Sequence, residues 1–324
     1  MNADPLPLDL HPRQPHDATS PTESDVTESD VTESEGTPAD GTRTLRMTLA
    51  YDGTNYCGWQ IQPNGIAVQA VVEQALGEFT GEPVRVVASG RTDAGVHAVG
   101  QVASFTTRST APCHGFLHGL PRYLPEDIVI RDVQEATTGF NARYHAKRKW
   151  YRYVIHNTRI RTPFLRNAVL WQRSPLDEAA MHAAVQFLVG THDFRCFETQ
   201  WPNRSSSIRT IYHASVTRTA GWNAWDPTEG LRPEAGRITA NSITAGSHLP
   251  EGTDSPAEAP FLCFDVEADG FLYNMVRAIV GTLIHVGRRR WTPDDMNRIL
   301  TPGDRTHAGE TAPPQGLYLM RVDY

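Results

Sequence analysis

The chain has 324 residues, 39% of them hydrophobic and 21% charged, which is enough apolar material for one large or two ordinary domains and excludes a fibrous or wholly disordered chain. Its formal charge of −7 resolves into −8 on residues 1–43, −4 on residues 221–260 and +5 on the other 241, so the acidity is peripheral and the remainder carries the sign that suits a polyanion. No run approaches the ~18 apolar residues of a membrane span, the acidic, Pro-containing start reads as neither a secretory signal nor a transit peptide, and the scattered cysteines 57, 113, 196 and 263, without a CxxC, suit a reducing cytoplasm.

Residues 1–43 contain the repeat Thr22-Glu23-Ser24-Asp25-Val26, Thr27-Glu28-Ser29-Asp30-Val31 and the start of a third copy. Apolar side chains are too sparse there to offset ordering entropy, so a disordered acidic tail is expected. From Thr44, Met47, Leu49 and Tyr51 alternate with polar or small neighbours, the period of a strand. Val68, Val71, Val72, Ala75, Leu76 and Phe79 then mark one face of a helix closed by Gly81 and Pro83. Val84–Ala88 and Val102–Phe105 read as strands around a Gly-rich turn over Ser89–Gly95.

The second half repeats the mixture. Lys149–Ile155 alternates like a strand, and Ser174-Pro175 reads as the cap and first turn of a helix bearing Met181, Ala184, Val185 and Leu188. Ile208–Val216 and Phe261–Val266 read as strands. Leu272, Met275, Val276, Ile279, Val280 and Leu283 line one face of a third helix, Thr292-Pro293 caps a short fourth, and Gly316–Val322 closes as a strand. Between Thr219 and Pro260 periodicity vanishes, which predicts a surface insertion at 221–260. Strands and helices interleaved without a regular βαβ count predict an α+β architecture of two modules, 44–138 and 139–324.

Two features carry chemistry. Residues 143–173 hold nine basic side chains, among them Arg143, Arg148, Lys149 and Arg152, and no Asp or Glu, with Tyr144, Trp150, Tyr151, Tyr153, Phe164 and Trp171 interleaved. Phosphate would neutralise such a run, and the rings would offer unstacked bases a surface. Alternation puts Lys149, Tyr151 and Tyr153 on one strand face and Arg148, Trp150 and Arg152 on the other. The second feature is Ser89-Gly90-Arg91-Thr92-Asp93-Ala94-Gly95-Val96-His97. Its glycines allow a tight turn that leaves Asp93 unobstructed, and Arg91 is placed to hold that carboxylate ionised with a depressed pKa. An ionised, oriented carboxylate can act as nucleophile or general base. Taken alone, such a turn is more often structural.

Tyr51-Asp52-Gly53-Thr54, Gly58-Trp59-Gln60, Gly90–Ala98, Phe140-Asn141-Ala142-Arg143, Lys149–Tyr153, His192-Asp193-Phe194, Gly270–Arg277 and Ala312–Leu319 occur in this order. The ordered set closely resembles the tRNA pseudouridine synthase A family. The resemblance covers about residues 45–220 and 261–322, and Trp150 is bulkier than its pattern. It implies a pseudouridine synthase fold, with two RRM-like halves sharing a mainly antiparallel sheet around a central cleft. It also implies isomerisation of uridine to pseudouridine at positions 38, 39 and 40 of the tRNA anticodon stem-loop, in a cytoplasmic homodimer without cofactor. Asp93 would then be the catalytic carboxylate, Arg91 and Arg277 its supporting cations and Tyr151 the stacking tyrosine; Arg143, Lys149 and Arg152 of the basic run are expected to contact the substrate.

Rival readings are a non-catalytic RNA-binding module and a phosphate-ester enzyme. Cys113, His114 and His118 have a spacing that a helix could offer a metal, but Pro112, Gly115, Gly119 and Pro121 argue against that helix, and no metal is expected. The run Arg288-Arg289-Arg290 suits either a solvated helix end or a phosphate contact.

Overall fold

The computed structural model describes residues 41–199, 206–221, 225 and 259–324. Most of the acidic tail and of the 221–260 insertion lies outside the described residues.

Leu45, Met47, Leu49 and Tyr51 are buried on one face of β1 (Arg43–Tyr51), as their alternation requires. α1 (Val68–Thr80) buries Val68, Val72, Ala75 and Leu76 and stops at Gly81, whose φ of +75° is the left-handed conformation that ends many helices. β2 is two residues long (Val87–Ala88), while β3 (His97–Thr107) begins at His97 rather than Val102, with the polar side chains of His97 and Gln101 buried in it. The helix that prolines and glycines argued against does form as α2 (Cys113–Gly119). It is short enough that Pro112 caps it from outside, where a missing N–H costs nothing, and Pro121 falls beyond its end.

β4 (Ile128–Glu135), which the sequence did not announce, is followed by β5 (Arg148–Asn157) and β6 (Leu170–Gln172). α3 (Glu178–Gln186) starts later than Ser174-Pro175 predicts. Its cap is Asp177, whose carboxylate accepts the Ala180 N–H at 3.0 Å, and the Ser174 carbonyl instead accepts from Asn157 Nδ2 at 2.8 Å. β7 (Gly190–Asp193), β8 (Ile208–Thr219), β9 (Phe261–Ala268), α4 (Met275–Gly287), α5 (Pro293–Leu300) and β10 (Leu317–Asp323) complete the described elements. Thr292 and Asp295 cap α5 reciprocally, as the Thr-Pro start predicts.

The strands form one sheet in the order β4-β1-β3-β10-β5-β9-β8-β7, with β2 beside β3 and β6 beside β5. The path is antiparallel except where β10 runs parallel to β3. The last strand therefore splices the first-half strands to those of the second half. This mixed α+β sheet agrees with the predicted fold class. The apolar faces of α1, α3, α4 and α5 share one core with Leu45, Met47, Tyr151, Tyr153 and Phe264, while Trp150, Val154, Phe261, Cys263, Tyr318 and Met320 form a separate cluster.

β5 divides as alternation predicts. Register pairs Arg152 with Asp265 on β9, and the buried Asp265 accepts from Arg152 Nε at 2.8 Å, Arg152 Nη2 at 3.0 Å and Trp150 Nε1 at 2.7 Å. Trp150 is thus anchored on the face opposite Tyr151 and does not crowd it. Replacing Asp265 with Ala would leave a guanidinium and an indole N–H buried without their acceptor. Urea unfolding should show a loss of about 3–5 kcal/mol, and a loss under 1 kcal/mol would contradict this account of the pair.

Candidate active site

The loop over Ser89–Val96 is fixed from several sides. Ser89 Oγ donates to the buried Gln101 Oε1 at 2.7 Å, and Gln101 Nε2 donates to the Gly90 carbonyl at 2.9 Å. The Thr92 carbonyl accepts the Trp59 N–H at 3.0 Å, and its hydroxyl lies 2.8 Å from the Tyr51 hydroxyl. That close approach needs Gly58, where a Cβ would stand 2.5 Å from the Thr92 oxygen. Val96 N–H closes the turn on the Asp93 carbonyl at 3.1 Å, with Gly95 at φ +75°. Burial pushes the Tyr51 hydroxyl up to about 12, so it stays protonated as a partner for Thr92.

Asp93 meets Arg277, 184 residues away in the chain, with Nη1 donating to Oδ2 at 3.4 Å. The two side chains are 26% and 16% exposed, so the pair is largely but not fully withdrawn from water. Arg277 is held independently of Asp93. Its Nε donates to the Ala312 carbonyl at 2.7 Å, and its Nη1 donates to Asn274 Oδ1 at 2.7 Å. Asn274 takes a left-handed conformation (φ +61°) as α4 begins and donates to Thr199 Oγ1 at 3.0 Å. Burial raises the Asp93 carboxyl above its ordinary pKa, while the charge and hydrogen bond of Arg277 pull the other way. Tyr151 is buried, packs edge-on against Phe271 with centroids 5.0 Å apart, and has its hydroxyl pKa raised by burial and by the charges of Tyr51 and Asp93. Its hydroxyl hydrogen-bonds to none of the described residues.

Two sequence expectations need correction. Arg91 is exposed and forms no ion pair with Asp93, and Asp93 is raised rather than depressed. An exposed guanidinium gains little from pairing and keeps its water, whereas Arg277 is already desolvated and oriented. Arg152, a predicted substrate contact, is spent on Asp265 at the opposite face of β5. Lys149 shares the face of Tyr151, its Nζ donates to the Ser89 carbonyl at 2.7 Å, and burial with the charges of Arg143 and Arg209 lowers its pKa to about 8. Arg143 is exposed in the segment before β5. The roles of Asn274, the Ala312 carbonyl, Phe271 and Arg209 were not singled out from sequence. An Asn one residue before a helix was the available signal for the first; the others depend on register and packing.

The profile of the family described as tRNA pseudouridine synthase matches residues 47–145 and 184–324, which include Asp93 and Arg277; Tyr151 falls between the matched segments. The chain is 43% identical over 282 residues to tRNA pseudouridine synthase A of Moorella thermoacetica, covering 86% of this chain and 99% of that protein. The chain belongs to the tRNA pseudouridine synthase family. It is also 42% identical over 282 residues to the tRNA pseudouridine synthase A of Geobacter sulfurreducens and 41% over 283 residues to that of Pelobacter propionicus, each alignment covering 87% of this chain and the whole relative. The ordered motifs of a family member thus converge here on a carboxylate, a guanidinium and a tyrosine.

The electrostatics make a direct prediction. A carbon-13 carboxyl titration of Asp93 should have its midpoint above the ~3.9 of free aspartate. In Arg277→Gln the midpoint should rise further, because the cation that favours the charged form is gone while burial remains. A midpoint at or below the free value, or a fall in the variant, would contradict the balance described.

Proposed function

We propose that this protein isomerises uridine to pseudouridine at positions 38, 39 and 40 of the tRNA anticodon stem-loop, with Asp93 as the catalytic carboxylate. The observation that carries this reading is the loose pair between Asp93 of the Gly-Arg-Thr-Asp-Ala-Gly loop and Arg277 of α4, near a buried tyrosine with an uncommitted hydroxyl. Membership of the family supports it.

The reaction breaks the C1′–N1 bond, rotates the uracil and forms C1′–C5. N1 gains a proton and C5 loses one, so the atoms balance without any electron or group donor. Asp93 attacks uracil C6 or ribose C1′, or serves first as base; each route needs an oriented carboxylate within reach of an everted nucleotide. Arg277 holds that carboxylate in place without enclosing it. Tyr151 offers a flat face on which the base can stack. Unstacking the nucleotide costs a few kcal/mol, which this stacking and cationic contacts to the backbone offset. Arg91, exposed on the same loop, is placed to meet RNA rather than Asp93. The working form is a cytoplasmic homodimer that takes tRNA as substrate, as in the family the chain resembles, and the four cysteines, free in the structure, are consistent with a reducing compartment.

Asp93→Asn removes the nucleophile or base while keeping the side chain's shape. Pseudouridine formation on an unmodified tRNA transcript should fall by about 10²–10⁴ or more, with tRNA affinity within a few-fold of wild type. Undiminished turnover in the variant would refute the assignment. Wild-type protein that retains tRNA but yields no pseudouridine would identify a binding module instead.

A further inference from the structure

α4 begins at an asparagine that does not do the usual work of its position. Asn274 stands just before the helix at φ +61°, and its side chain caps none of the N–H groups of the first turn. A left-handed start is strained for most side chains and tolerated by Asn, which ordinarily gains a capping bond at such a place. Here the amide is spent elsewhere. Its Oδ1 accepts from Arg277 Nη1 at 2.7 Å, and its Nδ2 donates to Thr199 Oγ1 at 3.0 Å.

These two bonds define the orientation of the amide. A guanidinium only donates, so the carbonyl end must face Arg277 and the NH2 end must face Thr199. Thr199 is stitched to the same turn, because its N–H donates to the Tyr273 carbonyl at 3.3 Å. The stem of Arg277 is clamped to residue 312: Nε donates to the Ala312 carbonyl at 2.7 Å, and the Ala312 N–H donates to the Arg277 carbonyl at 3.0 Å. Nη1 is then shared between Asn274 and Asp93, and the division is unequal, 2.7 Å against 3.4 Å. Hydrogen bonds between opposite charges are normally the shorter kind. The order observed is the reverse, so the guanidinium is held back from the carboxylate.

We propose that Asn274 is a positioning residue that holds the Arg277 guanidinium back from Asp93, with Thr199 fixing the amide that does so, and that this keeps the carboxylate reactive. The proposal rests on the reaction proposed above for Asp93. An uncharged acceptor is what the position requires. A carboxylate at 274 would compete for the cation and repel Asp93, whereas no acceptor at all would let the cation close on Asp93.

Two variants that both tolerate a left-handed backbone separate positioning from simple fit. Asn274→Gly removes the tether, and the midpoint of the Asp93 carbon-13 carboxyl titration should fall below that of wild type. Asn274→Asp adds a competing charge, and the midpoint should rise. The acidic limb of the kcat–pH profile on anticodon stem-loop RNA should move with it, down in the first variant and up in the second. At neutral pH kcat should drop by about 10–100-fold in each, while KM changes little. Thr199→Val removes the anchor of the amide without touching residue 274 and should shift the midpoint in the same direction as Asn274→Gly, and Thr199→Ser should restore it. If an Asn274 variant fails to fold, as judged by circular dichroism, the Thr199 pair decides. Midpoint shifts of one sign in both Asn274 variants, unchanged midpoints in folded variants, or an unchanged kcat despite shifted midpoints would overturn the proposal. The titration needs no RNA, so absence of pseudouridine from wild type refutes the proposed reaction alone.

Discussion

The reaction proposed for Asp93 needs a carboxylate that is not fully neutralised, and the structure meets that need by holding Arg277 through other groups first. Its short bonds go to the Ala312 carbonyl and Asn274, and only a 3.4 Å contact is left for Asp93. Burial and the guanidinium then act on Asp93 in opposite senses. The same molecule contains the contrasting case. Asp265 takes three short bonds from Arg152 and Trp150 in a site closed to water, and every oxygen is committed. A saturated pair of that kind holds strands together; an unsaturated one leaves a lone pair for chemistry.

β5 carries both arrangements because a strand sends alternate side chains to opposite faces. Arg148, Trp150 and Arg152 lock β5 to β9, while Lys149 and Tyr151 turn to the side where the Asp93 loop arrives. The insertion of β10 between β3 and β5 brings these parts into register. It pairs with Ala98 just after the loop and with Tyr151 itself, through the single residue Leu319. The Ala312 carbonyl that holds Arg277 lies a few residues upstream of that strand. A carboxylate from the first half and an arginine from the second thus meet across a splice made by the C-terminus.

The Gly-rich loop shows how local chemistry supports this assembly. Gly58 permits the backbone of Thr92 to come close, Gly90 admits Lys149, and Gly95 supplies the left-handed turn after Asp93. Each glycine answers a different steric demand, so the loop's composition follows from its neighbours as much as from its own turn.

Much of this was legible in the chain. Periodicity located β1, α1, β5 and α4, since burying one face imposes a spacing on the apolar residues that needs no knowledge of the partner, and the Thr292-Pro293 cap located α5. The ordered motifs pointed to Asp93, Tyr151 and Arg277, and alternation put Arg152 and Tyr151 on opposite faces. Short or polar elements were missed: α2 is too brief for its prolines to forbid it, and β3 begins at a buried histidine. Arg91 was expected beside Asp93 because it is near in sequence, and the protonation balance was read with the wrong sign because burial has no local signature. The sequence by itself determined the periodicity of the main elements and which side chains share a face, as on β5. Tertiary structure alone decided which charge meets which, because pairing and desolvation are set by atoms that come together in space from opposite ends of the chain.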